Sequence, residues 1–490
     1  MTICDIYVSR RVLKLPAAGQ GVPVLAVLVL LMVLCLAGCV SGKTEPLETV
    51  AAESAVAAAA TSVTAPAADP FTRGYPLVQL QEDFRELQKY IESYHPKLYA
   101  DREALALLLD TNYALLREGM TELEFLRLLA PIVSVLNCGH SAIFPSHAYQ
   151  DRLALDGSYF PLLLRFFDGK ARIIGNGLST DLPLGAELLT INGVSMEDIV
   201  ARLFGSLSAD GRNLTRKYSL LDGGFRFYYH NFIDDRSDFD ITYMSAASST
   251  VRTAVLAGAS DAAIRQANRA FFDARQEFYG QPFTADYADG YARLTMRSFY
   301  PQGSNSLPVY KSFIDQFFAR VKADSIRSVI LDVRDNSGGD PYVAAHLFSY
   351  LAAAEQAYFA DSAPGYYPSL KRIVPLAAGR FDGRLLVLMN GNSFSTTGHL
   401  LALLRSQGVG TFIGEESGGS FACSDGSQNY ALRRTGLQYR GSTMVWEVAA
   451  KGLEPGRGIM PDHTVQISIA DWLAGRDTVL EYAVRLAGRP

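Results

Sequence analysis

The chain has 490 residues, enough for two or three domains, and 49% of them are hydrophobic, so it can bury a large core. Its formal net charge is −5, and its basic residues form no stripe, which speaks against a nucleic-acid partner.

The first stretch does not belong to a fold. Arg10, Arg11 and Lys14 precede an apolar run over 22–37, which then reads Leu36-Ala37-Gly38-Cys39. A charged start, an apolar middle too short for a comfortable membrane span, and small residues before a cut site describe an export signal. Small residues followed at once by cysteine resemble the bacterial lipoprotein box. That resemblance implies cleavage before Cys39 and a lipid on its sulfur and new amino group, with 1–38 as the signal peptide. Val40 and Ser41 after it suit the periplasmic face of an outer membrane, so the expected location is the cell envelope. Residues 39–70, mostly Ala, Thr, Ser, Val and Pro, read as a disordered tether. Cys4 and Cys35 leave with the signal. Cys138 and Cys423 stay in the body, a pair that an oxidising compartment could join but that sequence cannot pair.

Leu80, Phe84, Leu87, Ile91 and Tyr94 recur at helical spacing, and Pro96 ends that helix. A second helix covers about 102–117. A third opens at Thr121 with Glu124 three residues on, a capping box, and runs through Leu126, Leu129 and Val133. These form a helical subdomain, 71–150, that delivers the chain to Asn137-Cys138-Gly139-His140-Ser141. Residues 151–285 change period. Asp168-Gly169 and Asn192-Gly193 mark turns between short strands, 196–203 is an amphipathic helix, and 238–243 and 250–256 are further strands. The result is a compact α+β module.

From 286 to 490 strands and helices alternate: strand 291–296, helix 310–322, strand 329–333, helix 342–352, strand 385–389 and strand 409–414. Such alternation predicts an α/β layered core around a largely parallel sheet. Residues 352–376 carry no period and read as a surface loop. No internal repeat is present.

Two corners in this core carry chemistry. Leu385-Leu386-Val387-Leu388-Met389 is a buried-strand run that stops at Asn390-Gly391-Asn392. Leu400, Leu401, Leu403 and Leu404 then take up helical spacing to a stop at Gly408. Ser395 stands at that strand-to-helix corner, and Ser393 precedes it. A serine there ordinarily caps the helix. The free N–H groups and positive end of a helix would equally favour an oxyanion beside it. The second corner, Asn336-Ser337-Gly338-Gly339, follows the strand 329–333. Its paired glycines let backbone approach a ligand, so the N–H of Gly338 or Gly339 could join that of Thr396 as oxyanion donors.

Residues 329–339 resemble the strand and Asp-x-Arg-x-Asn-x-Gly-Gly signature of the tail-specific (C-terminal-processing) and tricorn-type serine proteases. Asn390 to Thr397 resembles their nucleophile segment, with Ser395 as nucleophile. Gly414-Glu415-Glu416-Ser417-Gly418-Gly419 and Gly458-Ile459-Met460-Pro461-Asp462 resemble their later segments. Residues 128–141 resemble the front helix and Gly-His segment of the tricorn-type branch. The family implies a crotonase/ClpP-like α/β core, an N-terminal helical subdomain and a PDZ-like insert, here around Gly185-Ala186-Glu187-Leu188. No metal or cofactor is implied, because Asp and His do not cluster at ligand spacing. Where the tail-specific branch carries a catalytic lysine this chain has Ser420, and Lys451, the only later lysine, lies in another segment. The tricorn-type pattern instead implies His140 as base and Glu454 as its carboxylate partner, with Glu447 as fallback. His399, one helical turn after Ser395, is the rival base. Cys138, where relatives carry an acidic residue, reads as packing. The expectation is a lipid-anchored serine endopeptidase acting on peptides or protein C-terminal regions. Its rivals are a non-catalytic peptide- or hydrophobic-ligand-binding lipoprotein of the same fold and an envelope scaffold whose PDZ-like module holds protein tails.

Overall fold

The computed structural model describes residues 69–245 and 250–488. The export signal, Cys39 and the tether up to residue 68 lie outside the described residues. None of the described helices is long and apolar enough to cross a membrane.

The core is a six-stranded sheet in the order Phe283–Ala288, Tyr291–Met296, Ser328–Asp332, Arg384–Met389, Thr411–Gly414, His463–Thr464. Only the first pair is antiparallel. The central strands are continuous apolar runs because both faces are covered. Val329, Leu331, Val387, Met389 and Phe412 pack on helices Leu307–Ala323, Pro341–Leu351 and Thr396–Ser406. Ile330, Leu386, Leu388 and Ile413 point the other way, onto helix Thr478–Ala487. This is the expected α/β layering, with its first strand starting at Phe283.

Ahead of it, helices Leu77–Tyr94, Arg102–Ala114 and Glu122–Ser134 form as their spacing predicts. The capping box is complete: the Thr121 hydroxyl accepts the Glu124 N–H at 3.3 Å and the Glu124 carboxylate accepts the Thr121 N–H at 2.8 Å. An antiparallel sheet follows, Leu163–Phe167, Lys170–Gly175, Glu187–Ile191, Asp238–Met244 and Val251–Ala257. Its predicted turns hold positive φ at Asp168 (50°) and Asn192 (50°). The long helix Leu214–Phe232 escapes sequence reading because every residue from Phe225 to Phe232 is buried, polar ones included, which erases the amphipathic period.

One hydrophobic cluster joins the N-terminal helices, this module and Leu432, Leu437 and Tyr439 from the far end of the chain, running straight across residue 150. Strand Ala142–Phe144 pairs with Gln438–Gly441, and the buried Asp83 carboxylate accepts the N–H groups of Arg434 and Thr435 at 2.9 and 2.7 Å. These links fix the His140 segment against the C-terminal core. The 352–376 stretch is more than a surface loop: Tyr358, Phe359, Ala363 and Leu370 are buried, and the Tyr358 hydroxyl lies 3.5 Å from the Thr396 carbonyl. Its burial follows no regular period, so no pattern marks it.

Candidate active site

Ser395 is the first point at which the sheet's geometry becomes chemistry. It sits between strand Arg384–Met389 and helix Thr396–Ser406 with φ 55° and ψ −127°, a backbone that a side chain rarely adopts. Such strain costs of order 1–3 kcal/mol and persists only where neighbours impose it. Here they do. The Ser393 hydroxyl donates to the Val333 carbonyl at 2.8 Å, Phe394 N–H to the Asn336 carbonyl at 3.0 Å, and Gly419 N–H to the Ser393 carbonyl at 3.0 Å. Asn390 accepts the Asp335 N–H at 3.0 Å. So Ser393 is a strut, and Ser395 makes no side-chain cap bond. Its hydroxyl lies instead 3.0 Å from His140 Nε2.

His140 comes from the turn between the third helix and strand Ala142–Phe144. Asp210, buried in the loop before helix Leu214–Phe232, accepts the preceding Gly139 N–H at 2.7 Å. The Phe394 ring lies 4.6 Å from the imidazole and carries the Arg216 guanidinium 4.2 Å from its own centroid. Burial pushes the imidazole below its ordinary value, against the opposing pull of Asp425, so the ring is neutral at neutral pH and free to accept a proton.

The carboxylate beside that imidazole is Asp425, not Glu454. Asp425 Oδ2 lies 3.6 Å from His140 Nε2. Burial would raise the Asp425 carboxyl, but His140, the Ser427 donors and Arg440 outweigh it and hold the group below the usual range. Glu454 is an exposed side chain paired with Arg212 at 2.6 Å. Glu447 accepts from the Ser362 hydroxyl at 3.0 Å, on the opposite face of its strand from Asp425's pair. No sequence signal singled out Asp425, which lies in a plain Ser-Asp-Gly-Ser turn.

The rival base His399 turns away. Its Nε2 lies 3.6 Å from Cys423 Sγ, and burial, then His140, push it down to about 3. Lys451 is exposed, with its N–H on Ser406. Cys138 and Cys423 are separate buried thiols, and burial pushes Cys138 up to about 11. Packing is what Cys138 does, between Ser141 and Ser442 at 3.3 and 3.2 Å.

The oxyanion prediction needs one correction. The Gly338 N–H already donates to Asn336 Oδ1 at 2.9 Å. Gly338 matters for space: a Cβ there would stand 2.8 Å from Ser395 Cβ and 3.0 Å from Thr396 N. Among the described residues the N–H groups of Gly339 and Thr396 have no acceptor. The Thr396 hydroxyl donates to the Gly339 carbonyl at 2.7 Å, holding the two segments together. A nucleophile, a neutral base with a nearby carboxylate, and two free donors can carry out acyl transfer.

Residues 290–465 match the model of peptidase family S41. A search of curated proteins finds no match. Among solved structures the chain is similar to mature CPAF, with 13% identity over 84% of this chain and 96% of that one and a TM-score of 0.60. It is also similar to mature CPAF complexed with lactacystin, at 12% identity, 84% and 98% coverage and a TM-score of 0.59. A peptidase from Parabacteroides merdae matches at 16% identity over 84% and 97% with a TM-score of 0.45.

Proposed function

Because residues 290–465 match the model of peptidase family S41, we propose that the chain is an exported, lipid-anchored serine endopeptidase of that family that cleaves peptides or protein C-terminal regions. The observation that carries this reading is the 3.0 Å approach of His140 Nε2 to Ser395 Oγ at a strained helix start. Ser395 Oγ attacks the peptide carbonyl carbon while its proton passes to His140 Nε2. The carbonyl oxygen, now negative, takes the N–H groups of Thr396 and Gly339. As the C–N bond breaks, His140 returns the proton to the leaving amine. Water then repeats the sequence on the acyl ester, with His140 again as base. Asp425 stabilises the imidazolium in both halves.

The lipid on Cys39 and the envelope location rest on the lipoprotein box alone. The anchor would hold the body on a tether at the membrane surface, within reach of envelope proteins.

The test is labelling of the mature protein by a fluorophosphonate probe, alongside Ser395→Ala and His140→Ala. Labelling present in wild type and lost in both variants supports the reading. A folded wild type that stays unlabelled transfers the argument to the binding-protein alternative.

A further inference from the structure

We propose that the strand face carrying Asp425 continues into a side-chain pocket for a large apolar residue, aromatic above all, next to the scissile bond. The proposal rests on the peptidase reading and adds its substrate class.

Strands Ala422–Asp425 and Met444–Glu447 pair antiparallel, with Cys423 opposite Trp446 and Asp425 opposite Met444. Directly opposed residues share a face and alternate residues share it again, so these four side chains stand on one side of the strand pair. That side meets the catalytic centre through Asp425, 3.6 Å from His140, while Cys423 lies 3.6 Å from His399 on the nucleophile helix. Trp446 extends it. Its ring meets Phe359 at 5.2 Å, Tyr367 at 5.4 Å and Tyr366 at 6.2 Å.

Three chemical segments adjoin this cluster. Phe359 stands edge-on to His399 of the nucleophile helix at 6.0 Å. Tyr367 meets Tyr342, which follows the oxyanion turn, at 5.4 Å. The strand pair itself brings Asp425. Burial fades along the cluster: Phe359 is 2% exposed, Trp446 and Tyr367 are half-buried, and Tyr366 is 66% exposed. An aromatic wall that starts at His399 on the nucleophile helix and ends in water offers its rings to an apolar side chain, and rings prefer edge-to-face or offset contacts such as these. Glu447 is on the opposite face and bonded to Ser362 at 3.0 Å, so the carboxylate this face presents is Asp425, which would repel a terminal carboxylate. The pocket is thus built for a side chain within a peptide, not for a terminal carboxylate.

The experiment digests a proteome-derived peptide library with the mature protein and reads cleavage sites by mass spectrometry. Phe, Tyr, Trp, Leu and Met are expected to be enriched at one fixed position beside the cut. On a matched pair of peptides differing only by Phe or Ala there, the ratio of kcat/KM values should fall about 10- to 100-fold in Trp446→Ala, the range a hydrophobic pocket can discriminate. Tyr366→Ala, on the exposed rim, should lower the same ratio by a few fold and guards against a folding defect at Trp446. Absence of enrichment, or a ratio unmoved in both variants, overturns the pocket while fluorophosphonate labelling leaves the peptidase standing. A folded wild type that neither labels nor cleaves overturns both.

Discussion

Asp425→Asn separates a catalytic carboxylate from a neighbour that only happens to be close. The substitution keeps the shape and the Oδ1 that accepts from the Ser427 hydroxyl at 2.9 Å, so the turn should hold. What it removes is a negative charge 3.6 Å from His140 Nε2. Unit charges at that distance attract by about 4–5 kcal/mol at an effective dielectric near 20. The Asp425 side chain is 33% exposed, so water screens part of this. Halving it leaves about 2 kcal/mol for the imidazolium that forms as Ser395 attacks, or roughly 30-fold in rate. The same charge raises the His140 pKa, so its loss lowers it by about 1–2 pH units. Fluorophosphonate labelling rates measured against pH therefore carry two signatures. The plateau should drop about 30-fold, and the acid limb, where His140 is protonated and idle, should move to lower pH. A plateau and a limb both unchanged from wild type would refute the role given to Asp425.

Glu454→Gln should leave the labelling rate within about twofold of wild type, because an exposed ion pair with Arg212 contributes at most about 1 kcal/mol to stability and nothing to the centre. Gly338→Ala should abolish labelling, since the new Cβ would stand 2.8 Å from Ser395 Cβ at a φ of 102° that alanine resists; Gly280→Ala, with open space around it, is the control. The buried Asp210 carboxyl is pushed up to about 7, chiefly by burial. With its unfolded value near 4, the folded chain holds that proton more tightly. Stability is therefore full below about pH 4 and declines as pH rises to about 7, by about 3–4 kcal/mol in all. Asp210→Asn should flatten that decline in urea unfolding at pH 4 and pH 8, and an equal decline in both proteins would refute the assignment.

The core was legible because its signals are local. The runs around Ile330 and Leu386 are buried on both faces, and the positive-φ turns at Asp168 and Asn192 use residues that tolerate them. Ser395 and the glycine turn stand at strand ends that the sequence marks, whereas His140 is singled out by the resemblance of its Gly-His segment. The carboxylate could not be read in either way. Asp425 reaches His140 only because Ala422–Asp425 pairs with Met444–Glu447, a contact between strands that no spacing announces. Glu454 is the residue the family resemblance implies, but its exposure and its ion pair with Arg212 decide otherwise. The aromatic wall stayed hidden for the same reason, since Phe359, Tyr367 and Trp446 meet only in three dimensions.

The structure also gives a reason why Ser420 need not signal a dead enzyme. Gly419 packs so tightly that a Cβ there would stand 2.8 Å from Ser395 N, and one on Gly398 would stand 2.7 Å from Ser420 N. Ser420 itself is 3% exposed, with its hydroxyl unpartnered. This segment braces the nucleophile corner from behind. The Ser395 hydroxyl meanwhile already has a base, His140, held by the Asp210 bond to Gly139 and by the Phe394 ring under Arg216. One hydroxyl proton needs one acceptor. A lysine at 420 would bring a charged amine into a space packed for a small side chain, beside a histidine whose neutrality the mechanism requires. On the proposed mechanism the base therefore comes from the front segment, as His140, rather than from behind the nucleophile, where Ser420 stands.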